Sequence, residues 1–470
     1  MPSARAPLTV LVLAAGLGKR MRSARIKILH EVAGRPMGVW VLEAARALKP
    51  ARVVTVIGHQ ADEVRTAFEG LSDDFVHQVA QHGTGHAVLQ AAPRLKGREA
   101  ATVLILNGDL PSLQPGTLRK FVAAHRRERA DLSVLTTEVP DPSGYGRIVR
   151  GGRGEFLKIV EDRDATVSEK KLREINAGIY CARTSTLLPI LKRLRPANSQ
   201  GEYYLTDAVA RIVSGKGRVL AYLHPRAAEV LGVNTRTELA QASRALYAQK
   251  AASLEAAGVT ILDAARTWID PRARVGRDSV LYPGVILEGT CVLGESCVVR
   301  PGCRLTNVTA GRRVEFRDHS VAQDCRLADD VAVGPFAHLR PGSILESGVR
   351  VGNFVEIKKS RLGRGSKASH LSYLGDAEIG PGCNIGAGTI TCNYDGAKKN
   401  VTRLGRGVFI GSDTQLVAPV SVGNGAYVAA GTTVTEDVPA GALAISRSEQ
   451  KNIEGWVERR KEKKARGIAR

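Results

Sequence analysis

Aromatic side chains make up only 4% of this 470-residue chain, which carries three tryptophans and three methionines. That scarcity bears on how its charge is read. A net charge of +22 suggests anionic partners, which range from nucleic acid to membrane surface to phosphorylated small molecules. The densest basic cluster, Arg459-Arg-Lys-Glu-Lys-Lys-Ala-Arg466, lacks interleaved aromatics on which bases could stack, so it reads as a solvated tail. No apolar run reaches the ~18 residues a membrane span needs. None of the seven cysteines belongs to a CxxC pair, which argues against a zinc site and a thioredoxin-like motif. A disulfide framework is not expected in a chain long enough to bury a core, and the length calls for two or three domains. Arg5 followed by Leu8-Thr-Val-Leu-Val-Leu-Ala-Ala-Gly16 imitates a secretion signal. The rival reading is a buried first strand running into a glycine turn, and the residues after that turn decide between them.

What the sequence does have is a period. From Ile269, aliphatic residues recur every six positions through Val275, Leu281, Leu287, Leu293, Val299 and Leu305. After an irregularity the series resumes at Val321, Leu327, Val333, Leu339, Leu345, Val351 and Ile357. It returns at Ile379 and Ile385, and again at Ile410, Leu416, Val422, Val428 and Val434. Four residues beyond each anchor stands a small or slender side chain, from Ala273, Ser279 and Val285 to Thr309. Cys291, Cys297, Cys303, Cys325 and Cys383 all occupy this slot, where a thiol acts as a small buried hydrophobe. A period of six is neither helical nor a plain alternating strand. It fits a parallel β-solenoid from about Ile269 to Pro439, with the anchor inside, the slender residue beside it and glycine at tight corners. These repeats resemble the hexapeptide-repeat family of left-handed β-helices, and the left hand is implied by that resemblance alone, since parallel crossovers in general favour the right. Members are mostly trimeric acyltransferases using a coenzyme A thioester, although some carry the solenoid only for assembly.

Before the repeat, the short apolar runs Leu8–Ala15, Val53–Ile57, Val103–Leu106 and Leu132–Thr136 alternate with helix-like stretches. Such runs indicate a mostly parallel α/β sheet covered on both faces, whose ligands sit at the carboxyl ends of strands. After the first run comes Leu13-Ala-Ala-Gly-Leu-Gly-Lys-Arg-Met21, neither a dinucleotide fingerprint nor a Walker A loop. It is a glycine turn able to face an anion, with Arg20 and Lys27 adding charge. After the third run, Asn107-Gly-Asp-Leu-Pro111 places a carboxylate where a hard cation bridging phosphates would want it. The two motifs together resemble sugar nucleotidyltransferases. Further matches are Gln78-Val-Ala-Gln-His-Gly-Thr-Gly-His-Ala87, Gly144-Tyr-Gly-Arg-Ile148, Ile159-Val-Glu161, Ile175-Asn-Ala-Gly-Ile179, Gly201-Glu-Tyr-Tyr-Leu-Thr-Asp207 and Gly232-Val-Asn234. With the first loop absorbed into this pattern, the signal-peptide reading fails.

A Rossmann-like nucleotidyltransferase followed by a hexapeptide solenoid resembles the family of bifunctional bacterial N-acetylglucosamine-1-phosphate uridylyltransferase/glucosamine-1-phosphate acetyltransferases. The most specific stretches are Gly334-Pro-Phe-Ala-His-Leu-Arg-Pro-Gly342, Val351-Gly-Asn-Phe-Val-Glu-Ile-Lys-Lys359, Gly365-Ser-Lys-Ala-Ser-His-Leu-Ser-Tyr-Leu-Gly-Asp376 and Asn384-Ile-Gly-Ala-Gly-Thr-Ile-Thr-Cys-Asn-Tyr-Asp-Gly396. The resemblance implies a uridylyl domain over residues 1–236, a linker helix over 237–257 opened by the capping box Thr235-Arg-Thr-Glu238, and an acetyl-transfer domain with its basic tail over 258–470.

In the first domain the resemblance implies Mg²⁺ held by Asp109 and Asn234, and Arg20 and Lys27 on the triphosphate of UTP with the backbone of Leu13, Ala14, Ala15 and Gly16. Gln78, Gly83 and Thr84 would meet uracil, where an amide can offer both a donor and an acceptor. Asn107 lies by the metal carboxylate, while Gly146, Glu161 and Asn176 would hold sugar and ribose hydroxyls. In the second, His370 is the implied general base. Arg340, Lys358 and Tyr373 suit the sugar phosphate and hydroxyls, with Asn384, Asn393, Tyr394 and Lys399 completing the acceptor pocket. Ala387, Ser412, Ala430 and Arg447 match contacts to acetyl-CoA. The resemblance also implies a cytoplasmic homotrimer acting on small molecules, without nucleic acid. Three positions depart from the pattern: Lys19 stands for Thr, Ile26 for Pro and Asn107 for Tyr. Three rival readings remain open here: a nucleotidyltransferase of other base or sugar specificity with a structural or regulatory solenoid, a polyanion-binding trimer without turnover, and an enzyme with both activities but another nucleotide or sugar.

Overall fold

The strand Leu8–Ala14 lies inside the first sheet, with Val10, Leu11 and Val12 fully buried. The computed structural model describes residues 7–95, 101–196, 201–447 and 449–466, and the chain divides into two units, Met1–Tyr247 and Ala248–Arg470. The first sheet runs in the order Val219–Leu223, Leu132–Glu138, Glu174–Arg183, Thr102–Asn107, Leu8–Ala14, Arg52–Ile57 and Asp74–His77. Along this path the pairings are parallel except those of Glu174–Arg183, which opposes both its neighbours, and an antiparallel pair, Arg147–Arg150 with Phe156–Val160, joins the sheet beside it. Successive residues of a strand point to opposite faces. Val10, Val12, Leu104 and Leu106 accordingly join one apolar cluster with Leu42 and Phe121 of the helices Met37–Arg46 and Pro115–Arg127. Leu11, Val103 and Ile105 join another with Val88, Leu187 and Val209 of the helices Thr84–Gln90, Thr184–Leu191 and Leu205–Ser214. Both faces are covered, which is why these strands read as unbroken apolar runs. Leu13 pairs with Asn107, so the glycine turn after one strand and Asp109 after the other open on the same edge.

Among the described residues the second unit is three parallel sheets of eleven, ten and nine strands, the walls of a left-handed β-helix. Each coil lays one strand in every sheet. Ile269 lies over Leu287 and Leu287 over Leu305, a coil of three six-residue repeats. The next coil is one residue shorter, because Leu305 lies over Ala322, and the same shortening recurs between Ile357 and Leu374. Between Ile385 and Ile410 the coil is longer, the extra chain leaving after Asn393. The shortened coil corrects two sequence assignments. Ala322, not Val321, is the buried anchor, and Val308, not Thr309, fills the slender slot; Thr309 is exposed. A fixed period miscounts once a corner loses a residue, whereas the backbone ladder, for example Thr309 N–H to Cys325 C=O at 3.0 Å, keeps the coils superposed.

The five cysteines of the slot are buried as expected. The thiols of Cys291, Cys297, Cys303 and Cys383 reach backbone carbonyls of the next coil, as in Cys303 Sγ to Arg317 O at 3.1 Å. Burial pushes the Cys303 thiol up to about 11. At one corner glycine is obligatory: a Cβ on Gly352 would stand 1.8 Å from the carbonyl oxygen of Ser369, so no other residue lets the coil carrying His370 stack there. The helix Arg236–Ala256 begins with the expected capping box, Glu238 N–H to Thr235 Oγ1 at 3.2 Å and Thr235 N–H to Glu238 Oε2 at 3.0 Å. The helix Trp456–Ala465 in the tail is exposed along its length.

Slot width should limit substitution more than chemistry does. Cys303→Leu is expected to cost roughly 1–3 kcal/mol by overpacking. Cys303→Ser should cost less, because Ser279 and Ser343 already occupy equivalent slots. Urea unfolding of the full chain checks the order; a serine variant less stable than the leucine variant would contradict it.

Candidate active sites

The edge where the parallel strands end holds two adjoining cavities. One, of about 320 Å³, is lined by Leu13, Ala14, Ala15 and Gly16, by Lys27, by Gln78, Gly83 and Thr84, and by Asn107 and Asp109. The other, of about 210 Å³, shares Leu13, Thr84, Asn107 and Asp109 and adds Arg20, Gly146, Glu161, Asn176 and Asn234. The residues expected from sequence for this half are thus gathered along one cleft. Gln81, Glu202 and Tyr145 also line it and were not anticipated. Gln81 donates to Ala15 O at 2.7 Å, holding the glycine turn. Burial first, then the nearby Glu238 and Asp109 carboxylates, pushes the Tyr145 phenol up to about 12. Of the departures, Ile26 makes use of an N–H that proline lacks, donating to Gln60 Oε1 at 2.6 Å. Asn107 packs against Gly178, where a Cβ would stand 2.2 Å from its Nδ2. The side chain of Lys19 lies outside the described residues.

At the cleft's centre the Lys27 ammonium bonds both the Asp109 carboxylate and Asn234 Oδ1, the latter at 3.0 Å. Asp109 Oδ1 is buried and has no hydrogen-bond partner among the described residues. A buried carboxylate oxygen left without a partner is costly, and here the other oxygen of the same carboxylate shares the Lys27 ammonium with Asn234 Oδ1. No group of three His, Cys, Asp or Glu capable of holding a metal occurs among the described residues. One carboxylate and one amide oxygen, from Asp109 and Asn234, fit a hard divalent ion that takes few protein oxygens and leaves its other positions to phosphates and water. Asn234 is itself held from an unexpected place. The Glu238 carboxylate, in the first turn of the long helix, accepts the N–H groups of both Asn234 and Thr235. Two residues before it, Arg236 donates to Met21 O at 3.3 Å and to His30 Nδ1 at 3.2 Å. Because His30 Nε2 lies 3.2 Å from the carbonyl oxygen of Arg25, which only accepts, Nδ1 keeps its lone pair for Arg236. Burial, then the Arg236 charge, holds the His30 pKa below its usual value. The first turn of this helix thus fastens the basic loop and Asn234 alike. The capping box was legible in sequence; its reach into the site was not.

On the far side of the cleft, Asn176 Nδ2 donates to the Tyr180 hydroxyl at 2.6 Å while its Oδ1 accepts the Gly178 N–H at 2.9 Å. Glu161 Oε1 accepts from Thr206 Oγ1 at 3.1 Å. Burial raises the Glu161 pKa, and the Thr206 hydrogen bond opposes that rise.

In the solenoid the expected residues fall on two corners. His370 stands at the corner where the eleven-stranded sheet gives way to the ten-stranded one, followed along that corner by Ala387, Ser412 and Ala430 in later coils, with Asn384 on the adjoining face. The main chain ties these turns together: Asp413 N–H donates to Ala387 O at 2.7 Å and Gly431 N–H to Ser412 O at 2.8 Å. Arg447 donates to Ala430 O at 3.2 Å. Arg340, Lys358, Asn393 and Lys399 occupy the next corner, at the far end of the ten-stranded sheet. There the Lys399 amine, by hydrogen bonding, holds the Lys358 ammonium below its usual range, with Arg340 adding to the effect. Tyr373 reaches this corner, its hydroxyl 3.5 Å from Asn393 Nδ2, and Asn393 donates to Asp376 at 2.6 Å. Tyr394 is exposed and donates to Gly396 O at 2.6 Å.

His370 has a partner that sequence reasoning did not single out. Asn353, one coil earlier and in register, places Oδ1 2.8 Å from His370 Nδ1. An amide oxygen only accepts, so Nδ1 carries the proton and Nε2 keeps a lone pair. A larger groove of about 1050 Å³ crosses Arg361, Glu378 and Arg403 on another face. Arg361 is paired there with Glu346 and Arg403 with Glu378, and none of the expected site residues lines it.

A phosphate-facing glycine turn with a carboxylate at the strand ends, followed in the same chain by a hexapeptide β-helix with an oriented histidine, defines a nucleotidyltransferase joined to an acyltransferase. A family profile described as MobA-like NTP transferase domain matches residues 10–198, and one described as bacterial transferase hexapeptide (six repeats) matches residues 402–436. The chain is 49% identical to the bifunctional protein GlmU of Pelobacter propionicus, over 97% of this chain and 99% of that one. It is 48% identical to that of Trichlorobacter lovleyi (95% and 97% covered) and 44% identical to that of a Geobacillus species (96% and 97% covered). It belongs to the bifunctional protein GlmU family. The chain is therefore a bifunctional enzyme of UDP-N-acetylglucosamine biosynthesis, with a uridylyltransferase and an acetyltransferase domain. Its substrates are small molecules, including a nucleotide and an acyl-coenzyme A, and its nucleotidyltransferase family implies a divalent metal. No described helix is long and apolar enough to cross a membrane.

If Glu238 positions Asn234, Glu238→Ala should lower pyrophosphate release about tenfold or more. The loss of the cap itself should cost only about 0.5–2 kcal/mol. Acetyl transfer should be unchanged. Full uridylyl activity in a folded Glu238→Ala variant would remove the long helix from the site.

Proposed function

We propose that the solenoid first acetylates glucosamine 1-phosphate and that the first unit then uridylylates the product, with Mg²⁺ as the divalent ion. The observation that carries the reading is a pair of prepared centres on separate units: the unpartnered Asp109 oxygen beside Lys27 and Asn234, and the His370 Nε2 lone pair held by Asn353. In acetyl transfer, the Nε2 of His370 takes a proton as the substrate nitrogen attacks the thioester carbonyl. The C–N bond forms, the C–S bond breaks and coenzyme A leaves as its thiol. A positioned base of this kind contributes about 10²–10⁴-fold. Arg340, Lys358 and Lys399 supply the positive charge for the sugar phosphate, Tyr373, Asn384, Asn393 and Tyr394 bound the acceptor, and Ala387, Ser412, Ala430 and Arg447 take the coenzyme.

In uridylyl transfer, an oxygen of the sugar phosphate attacks the α-phosphorus of UTP, a P–O bond forms and pyrophosphate leaves. Arg20, Lys27 and the Leu13–Gly16 backbone hold the triphosphate. Gln78, Gly83 and Thr84 take the base, while Gly146, Glu161 and Asn176 hold sugar and ribose hydroxyls. Asp109 and Asn234 would hold the Mg²⁺, which neutralises charge on the phosphoryl oxygens when bound.

Two further parts of the reading concern assembly and place. The acetyl-site residues divide between two corners of one solenoid, and beside His370 runs an exposed column in which His319, Phe336 and Phe354 stack at 5.3 and 5.4 Å, followed by exposed Leu371. A homotrimer satisfies both facts, each copy's His370 corner meeting the next copy's Arg340–Lys358 corner. All seven cysteines are free, in keeping with the cytoplasm.

A paired assay tests the division of labour. Protein given glucosamine 1-phosphate, acetyl-CoA, UTP and Mg²⁺ should release both free thiol and pyrophosphate. Supplied with N-acetylglucosamine 1-phosphate instead, His370→Ala should release pyrophosphate normally while losing thiol release on the amine substrate, and Asp109→Ala should show the converse. A folded variant in which either change silenced both reactions would refute it. The raised pKa of Glu161 adds a pH prediction. As pH falls through that pKa the carboxylate gains a proton and ceases to accept from a sugar hydroxyl. The KM for N-acetylglucosamine 1-phosphate should therefore rise while ordinary carboxylates, near about 4.3, are still ionised. Glu161→Gln should flatten that limb, and a wild-type KM constant down to the ordinary range would sink the role.

A further inference from the structure

Gln78 is 3% exposed, lines the cleft and hydrogen-bonds through its amide nitrogen twice. Nε2 stands 3.2 Å from the carbonyl oxygen of Gly83 and 2.9 Å from Nδ1 of His86. A carbonyl oxygen only accepts, so the nitrogen end of the amide must face Gly83, and one amide proton is spent there. The second points at His86 Nδ1, which must then be the unprotonated nitrogen of a neutral ring. His86 Nε2 consequently carries the proton. Gln90 Nε2 is placed 2.9 Å from it; the two ends of a terminal amide are interchangeable in shape, and with the proton on His86 Nε2 it is the Gln90 oxygen that belongs on this side. The ring is also packed edge-on against His82 at 5.3 Å and tilted against Tyr203 at 6.1 Å; burial followed by His82 favours its neutral form and outweighs the backbone of Ala80, which opposes it. Gly83 cannot move aside readily, because with φ at +94° a Cβ on it would stand 2.8 Å from Tyr203 O.

With both amide protons engaged, Gln78 has only its Oε1 left to offer, and that oxygen takes no hydrogen bond from the described residues. We infer that His86 is a positioning residue for base selection: by accepting from Gln78 it fixes the amide so that the cleft presents an acceptor, which selects a pyrimidine bearing a ring N–H. Uracil has such a group at N3. Cytosine has a bare nitrogen there, and two acceptors would face each other with no proton between them. The amide is thus not a two-way reader of the base, as its chemistry alone allows, but a polarised one. The inference rests on the assignment of Gln78 to the base, and the test separates the two.

Pyrophosphate release from UTP and from CTP would be measured with N-acetylglucosamine 1-phosphate for the full-length wild type and for His86→Leu, His86→Gln and Gln78→Leu. His86→Leu removes the acceptor and frees the amide to turn over. The ratio of kcat/KM for UTP to that for CTP should fall about tenfold or more, the size of one neutral hydrogen bond together with a relieved acceptor clash. The loss with UTP should appear in KM, with kcat within about threefold of wild type. His86→Gln, which can return an oxygen to Gln78, should recover part of the ratio. A merely structural role would depress both nucleotides in parallel, and that outcome, or an unchanged ratio in His86→Leu, overturns the inference. If Gln78→Leu also leaves the ratio unchanged, the base is read elsewhere and the assignment of Gln78 falls with it. If Gln78→Leu collapses the ratio while His86→Leu does not, only the lock is wrong.

Discussion

Superposition of coil on coil is the constraint from which the rest of the solenoid follows. Each strand of a coil hydrogen-bonds the equivalent strand of the next, as Val280 N–H does to Cys297 O at 2.8 Å and Val298 N–H to Val314 O at 2.9 Å. Every interior side chain therefore rests on its counterpart, and neither the anchor nor the slender slot can change much in volume without displacing its neighbours above and below. Any residue added or lost must be absorbed at a corner. One coil drops a residue between Leu305 and Ala310, and another sends out the excursion that carries Lys399. Most of the polar side chains expected at the acetyl site collect at the same corners, where a change in chain length does not disturb the stack. The constraint that makes the scaffold monotonous also makes it accurate: Asn353 and His370 meet because their coils are in register.

The first unit meets the equivalent demand differently. Parallel strands bring Leu13 and Asn107 side by side, which lays the phosphate-facing turn against the carboxylate of Asp109. What ties this edge together is a single ammonium, Lys27, shared by Asp109 and Asn234. Three separated stretches of chain converge on that cation, and the last is secured by the N-terminal turn of the long helix. A capping box normally satisfies only its own helix. Here Glu238 extends its reach by one residue, accepting from Asn234 as well as Thr235, and so trades a purely local role for one in the cleft.

How much of this was legible in the sequence depended on how local the signal was. The six-residue period exposed the solenoid because the slot and anchor repeat in the chain itself, and the cysteines betrayed the slot's width. The cleft residues were legible through short motifs at strand ends. Legibility failed where the answer lay one coil or one unit of structure away. Val321 and Thr309 were misplaced because a shortened corner is invisible to a fixed period, and only the ladder shows that Ala322 and Val308 face inward. Asn353 sits in a stretch that reads as ordinary repeat; nothing in its own neighbourhood announces that its amide lies against His370. Glu238 was read correctly as a cap, yet its second acceptance could not be counted from spacing. Gln78 was seen as an amide with two polarities, because the partners that remove one of them, Gly83 and His86, are set by a turn rather than by a motif.

Those last cases share a logic. A neutral imidazole is ambiguous, with either nitrogen free to hold the proton, and an ambiguous group neither takes a proton at a fixed place nor holds a neighbour in one orientation. The chain resolves the ambiguity each time with a group that has only one polarity. The Arg25 carbonyl forces the proton of His30 onto Nε2, leaving Nδ1 for Arg236. The Asn353 oxygen places that of His370 on Nδ1, leaving a free lone pair on Nε2. At His86 the order is reversed: the Gly83 carbonyl fixes Gln78, and Gln78 then fixes the ring. A backbone carbonyl can neither titrate nor invert its sense, and the coil register holds the Asn353 amide beside His370. A fold rich in rigid, one-way acceptors is thus a means of assigning direction to side chains that have none of their own.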